Sequence, residues 1–276
     1  MVTVSGLWTY PIKSCASIEL RSALLTRDGL ARDRHWMVVD RDGRFLTQRQ
    51  LPQMALIEPQ LGDDVLRVAA PGMETLEIVL GRQGKRVATT VWNDECAAFD
   101  AGEAAADWFS QVLGRHCRLV EFDERSARFS DRDHAGDFGA TTQFSDGFAL
   151  LVVGEASLGA LNERLLEKGA HAVSMARFRP NLALRGVEAF DEDHIQELHG
   201  PNGIILRLVK PCARCQITTV DPATGVRDEG AEPLTTLNGF RNIHQDGTIF
   251  GQNAIVLGGA GQLLTVGDEL RVVWNF

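Results

Sequence analysis

At 276 residues the chain is long for one core and comfortable for two, since domains run to roughly 100 to 200 residues. Its composition, 44% hydrophobic and 24% charged, is that of a globular protein, and a formal charge of -9 argues against nucleic acid or an anionic membrane as its main partner. No apolar run approaches the roughly 20 residues of a membrane span, no signal peptide opens the chain, and five irregularly spaced cysteines suit a reducing compartment, so a cytoplasmic protein with free thiols is expected.

In chain order, the first hundred residues read as short strands at "VSGLWTYP", "IELRSALL", "HWMVVDRDGRFLTQ", "LRVAAPG", "LEIVL" and "RVATTVW", separated by Gly, Pro and Asp-Gly turn signals. Asp42-Gly43 predicts a hairpin inside "VVDRDGRFLT". Residues 102–113 predict an amphipathic helix with Ala104, Trp108 and Val112 on one face and Gly114 as its stop. The charged stretch from Glu121 to Ser145 has neither helical nor strand periodicity and reads equally as a linker or as an active-site loop. "FALLVV" is a strand leading into a helix whose Leu158, Leu161 and Leu165 share a face, with Gly169 at its C-terminal cap. Further strands are expected at "NLALRG", "IILRLV", "QITTV", "IFGQNAIVL" and "ELRVVW", with a short helix near "PLTTLNG". The sum is a mainly β, α+β chain of two barrel-like units, residues 1–120 and 121–276, with a few helices.

The stretch "KPCARCQITTVDPATG", Lys210 to Gly225, holds two cysteines three residues apart. A structural zinc knuckle needs a second pair of Cys or His ligands, and no clear one is present. A redox pair should open a helix, whereas this one precedes a strand-like run. Both thiols also fit as small buried hydrophobes. If the strand already runs through Arg214, Cys212 and Cys215 point to opposite faces, and a lone thiolate beside cations would suit a soft metal.

Three stretches, "YPIKSC" at Tyr10–Cys15, "FRPNLAL" at Phe178–Leu184 and the "CARC" segment, resemble the MOSC family of molybdenum-cofactor-binding β-barrel proteins, in the branch that includes the mitochondrial amidoxime-reducing component. "GLARDRHWMVVD" and "GEASLGALNERL" follow the same order, so the resemblance spans the whole chain. It implies an N-terminal MOSC-associated β-barrel domain, a MOSC barrel, and a molybdopterin held between them. It further implies that Cys215 is the thiolate on molybdenum, and the catalytic residue. Lys13, Ser14, Arg34, Arg179 and Asn181 match positions that contact the cofactor, Arg214 belongs to the same motif, and Asp146 and Gly147 are the nearest matches to contacts before the second unit's first strand. Ala213 and Phe148 depart from the pattern, standing where the mitochondrial relative carries hydroxyl side chains.

The resemblance implies an oxidoreductase that reduces small N-hydroxylated substrates such as amidoximes or hydroxylaminopurines. Neither a hydrophobic anchor nor cysteines with plant-type iron–sulfur spacing occur in these residues, so electrons are expected from a separate reductase or ferredoxin. MOSC domains also occur in proteins that carry or sulfurate the cofactor, which leaves a carrier module without its own substrate as the alternative.

Overall fold

The computed structural model describes residues 1–81, 84–243 and 247–275. Its largest sheet closes on itself. Seven strands take part: β1 (Val2–Thr9), β2 (Leu150–Gly154), β3 (Leu182–Arg185), β4 (Ile195–His199), β5 (Ile205–Ala213), β6 (Gly247–Gly258) and β7 (Glu269–Trp274). They run β2-β3-β1-β7-β4-β5-β6 and return to β2. Every pairing is antiparallel except β2 with β3, whose crossover carries the helix Glu155–Glu167.

The barrel is filled by Val4, Leu7, Val152, Leu184, Leu198, Leu206, Ala254 and Leu270, all inaccessible to solvent. Closure leaves no barrel edge between β2 and β6 to attract a stray strand. β1 comes from the opposite end of the chain to most of its neighbours, yet it lies between β3 and β7. A bulge interrupts its register between Val4 and Gly6, and the Trp8 indole covers Gly6 so closely that a Cβ there would lie 2.2 Å from the ring.

The first half adds a four-stranded antiparallel sheet, in the order Trp36–Val39, Arg118–Phe122, Asp94–Asp100, Arg86–Val91. A three-stranded meander, Glu58–Leu61, Val65–Ala69 and Leu76–Val79, lies beside it in sequence. Trp36 and Val38 face one core with Met54, Ile57, Trp108 and Phe109, while Met37 and Val39 face a second with Ala98, Val120 and Phe144. A strand buried on both faces explains the unbroken run "WMVV". Asp42-Gly43 makes the expected tight turn, with Gly43 at φ 75 and Val39 bridged to Phe45.

The expected mainly β class, with four α-helices among the described residues, is what the chain adopts. Several local expectations need correction. The helix Glu103–Leu113 buries Ala105, Trp108, Phe109 and Leu113, so its inner face is turned one residue from the Ala104 and Val112 line. "IELRSALL" divides at Arg21: Ile18–Leu20 pairs with β1 and Ser22–Thr26 with Leu263–Thr265. "QITTV" is not a strand, for Gln216–Thr219 forms a single 3-10 turn. The Thr218 hydroxyl donates to the Cys215 carbonyl at 2.9 Å and the Thr219 hydroxyl to the Gln216 carbonyl at 2.8 Å, local bonds that outweigh the β preference of threonine. No described helix is long and apolar enough to cross a membrane.

Leu7 has no accessible surface and stands in β1, between β3 and β7. Leu7→Ala is expected to lower stability by about 2 to 5 kcal/mol in urea unfolding. A loss below about 0.5 kcal/mol, the size of an ordinary surface substitution, would show that β1 is dispensable to the barrel.

Candidate functional site

β1 ends at Thr9, and the chain that follows it, Tyr10–Cys15, crosses out of the barrel toward the first sheet. Asn181, 1% exposed, ties this crossing to the barrel: its amide donates to the Trp8 carbonyl at 3.2 Å while its side-chain oxygen accepts from the Leu151 N–H at 3.2 Å and from Arg34 at 2.9 Å. Buried Asp33 accepts from the Tyr10 N–H at 2.8 Å and pairs with the Arg34 guanidinium. One hydrogen-bonded network thus joins residues that lie more than a hundred positions apart.

Against this network lies a cleft. Lys13, Ser14, Arg34, Asp146, Gly147, Arg179, Asn181, Arg214 and Cys215, every residue singled out from the sequence, line it together. Phe148 and Ala213 line it too. Sequence reasoning missed Arg49, Ser145, Cys212 and Asn253, which also face it. Arg49 follows the Asp42-Gly43 hairpin, and only the direction in which that hairpin returns brings it here.

The charged stretch Glu121–Ser145 builds a wall of this cleft. Arg128, 7% exposed, donates to the carbonyls of Gln143 at 3.0 Å and Asp146 at 2.8 Å and also to that of Ser145, while Asp94 holds its other side at 2.8 Å. A buried guanidinium satisfied by three carbonyls fixes the backbone that presents Ser145, Asp146 and Gly147.

Three lining residues, Ser14 at φ 67, Arg34 at φ 49 and Arg179 at φ 56, adopt left-handed backbone. Each costs about 1 to 2 kcal/mol for a residue with a Cβ. Such strain persists where surrounding bonds impose it and gathers at functional sites. Here it turns side chains from three separate loops toward one cleft.

The electrostatics are lopsided. Lys13, Arg34, Arg49, Arg179 and Arg214 meet Asp146 as the sole carboxylate among the described lining residues, although the chain as a whole carries -9. Lys13, 5% exposed, donates to Asp146 at 2.6 Å and to the Phe144 carbonyl at 2.7 Å. Desolvation lowers the Lys13 ammonium below the usual lysine range, opposed by Asp146. Desolvation pushes the Asp146 carboxyl upward, though 58% of its side-chain surface stays exposed, and the Lys13 ammonium, joined by Arg49 and the Trp92 N–H, holds the group below the usual carboxylate range.

Arg34 and Arg179 each lie 4.2 Å from the centroid of the Tyr10 ring. The Tyr10 hydroxyl donates to the Pro180 carbonyl at 3.0 Å, and burial raises it to about 12 despite both guanidiniums. Arg179, lowered to about 10 by desolvation, donates to the Cys15 carbonyl at 2.7 Å and has no carboxylate partner among the described residues. Arg214 donates to the Phe178 carbonyl at 2.7 Å and to the Cys212 sulfur at 3.0 Å, leaving its buried Nε without a partner. Cations so placed are costly unless an anion joins them. The donor set therefore fits a phosphate-bearing ligand, and Cys215 in the same cleft adds a soft sulfur that could reach a metal carried by it.

The expectation that Cys212 and Cys215 face opposite ways does not hold. β5 ends at Ala213, so strand alternation stops before Cys215 and both cysteines line the cleft. Cys212 packs in part against the core of Leu161, Phe178 and Phe250 while it accepts from Arg214. Among the described residues no group of three or more His, Cys, Asp or Glu is placed to hold a metal.

A profile of the MOSC N-terminal beta barrel domain matches residues 1–116, and one of the MOSC domain matches residues 139–271. The chain is 37% identical over 265 residues to mitochondrial amidoxime reducing component 2 of Bos taurus, covering 90% of this chain and 77% of that protein. It is 35% identical over 248 residues to mitochondrial amidoxime-reducing component 1 of Homo sapiens, covering 87% and 72%. Human molybdenum cofactor sulfurase is 31% identical over 243 residues, 82% of this chain and 27% of the relative. Sequence, fold and motif order together make the chain a member of the MOSC family, in the group of the amidoxime-reducing components.

Proposed function

We propose that the chain is a molybdenum-cofactor-dependent reductase of N-hydroxylated compounds, served by a separate electron-donor protein. The observation that carries this reading is the convergence of five cations on one cleft that also holds Cys215. Cys215 is the metal ligand and catalytic residue, because a thiolate suits a soft metal already bound by dithiolene sulfurs. Lys13, Arg34, Arg179 and Arg214 hold the anionic part of the cofactor, with Ser14, Asn181 and the Gly147 backbone beside them. Arg serves as a planar fork and Lys as a point charge, which gives the four different tasks. Asp146 keeps Lys13 in place through their ion pair. When bound, the cofactor supplies a two-electron redox centre, so that an N–OH substrate takes two electrons and two protons and leaves as the N–H compound and water. The residues 1–120 supply the Tyr10–Cys15 side of the site and residues 121–276 the cysteine side.

A second reading rests on the 31% identity to molybdenum cofactor sulfurase: a module that carries the cofactor or serves its sulfuration, with no substrate of its own. Reduction of an amidoxime with reduced viologen separates the two. Turnover supports the reductase, whereas cofactor transfer to an apo-enzyme without turnover supports the carrier.

Cys215→Ser is expected to abolish turnover and change the sulfur coordination seen by X-ray absorption, since even losses next to a metal's ligands cost about 10- to 100-fold. Cys212→Ser replaces the sulfur that accepts from Arg214 by a smaller hydroxyl acceptor and should reduce turnover only modestly. Equal loss from both would favour a cooperating pair.

Lys13→Ala, Arg34→Ala and Arg179→Ala should each weaken pterin retention by about 1.5 to 3 kcal/mol, the worth of a hydrogen bond to a charged group. Full occupancy in all three would remove the proposed site. The Lys13 ammonium, lowered below its ordinary range, holds its charge at low pH and loses it as pH rises through that lowered value. Pyrophosphate binding by the cofactor-free protein should accordingly weaken on the alkaline side, and Lys13→Arg should move that limb upward.

With NADH alone the purified protein should be inactive, because no Gly-rich nucleotide fingerprint between a strand and a helix is present in its sequence. Steady NADH-driven turnover would reveal an internal electron path.

A further inference from the structure

Trp92 stands at the turn between the strands Arg86–Val91 and Asp94–Asp100, with left-handed backbone at φ 57 and 51% of its surface exposed. Glycine or asparagine would fill such a turn without strain, and a polar side chain would not hold an indole in water. Single exposed aromatics are common enough to need no explanation. This one is held in place by three partners from the cleft side. Its Nε1 donates to Asp146 at 3.2 Å, its ring lies 4.7 Å from the Arg49 guanidinium, and Phe45 packs edge-on at 5.1 Å. Arg49 and Asp146 line the cleft, and Phe45 carries the Lys13 ammonium at 5.2 Å from its ring.

We propose that Trp92 and Arg49 form a stacking shelf at the mouth of the cleft that selects planar, aromatic N-hydroxylated substrates over aliphatic ones. The inference rests on the reductase reading and names the substrate class that site prefers. Arg49 covers one side of the indole and holds it in place, so a flat π-system stacks on the surface that Trp92 leaves exposed, and its exocyclic N–H groups find the Asp146 carboxylate beside the shelf. An aliphatic amidoxime has the same reacting group and the same donors but no ring to stack. Trp92 acts on substrate binding, so its effect belongs in KM rather than kcat.

The test compares benzamidoxime with acetamidoxime, using the cofactor-loaded protein and reduced viologen. Wild type is set against Trp92→Phe, which keeps an aromatic face, and Trp92→Asn, which suits the left-handed backbone and so preserves the turn. The ratio of kcat/KM values, benzamidoxime over acetamidoxime, should fall about tenfold in Trp92→Asn and by less than about threefold in Trp92→Phe, in line with the usual worth of stacking one ring. The fall should reside in KM. An unchanged ratio in Trp92→Asn overturns the shelf, as does a loss seen only with a protein donor, which would assign Trp92 to docking. If wild type reduces neither compound, the reductase reading fails, and the shelf is then judged by fluorescence. Benzamidoxime should quench the emission that wild type has and Trp92→Phe lacks, and acetamidoxime should not. Absence of that difference overturns the shelf independently.

Discussion

The constraint on which the rest depends is the pairing of the first strand with strands near the far end of the sequence. Because β1 is hydrogen-bonded between β3 and β7, the residues immediately after it must emerge beside β3. Arg179 and Asn181 precede β3, so Tyr10, Lys13 and Ser14 meet them without any further device. Asn181 then fixes the meeting by bonding to β1, β2 and Arg34 at once. An isolated amide with fewer partners would be a buried liability; with these it is a rivet.

Charge is handled the opposite way from shape. The cleft leaves cations partly unanswered: Arg179 among carbonyl and ring, Arg214 with a bare Nε. A protein carrying -9 must concentrate these groups in one place to attract an anion at all, and the local field rather than the net charge governs what enters. Tyr10 lets two guanidiniums pack against one ring, replacing part of the hydration they give up.

Much of this was legible in the residues. Tyr10–Cys15, Phe178–Leu184 and the "CARC" segment carry the family resemblance, and the positions it implies do converge. What stayed hidden depends on three-dimensional direction. Arg49 and Trp92 lie next to hairpin turns, and nothing in a hairpin's sequence says which cleft its tip will overhang. Arg128 sits in a stretch without periodicity, and its value lies in three carbonyls to which it is not adjacent in sequence. "QITTV" misled because threonine's strand preference is a packing preference, and hydroxyls bonded to nearby carbonyls outbid it.

The register that places Val2 opposite Leu270 sets an order of events during synthesis. When β1 leaves the ribosome, the Ile18–Leu20 segment that pairs with its far end follows at once, but the residues of β3 and β7 that will flank it have not yet been made. The edges that β3 and β7 will cover stay open until those strands are made, a period in which wrong pairings compete. The barrel closes only once β7 has been made, well after Lys13 and Cys215 have both emerged. A ligand that needs both sides of the cleft is consequently captured only after the strands that flank β1 are in place.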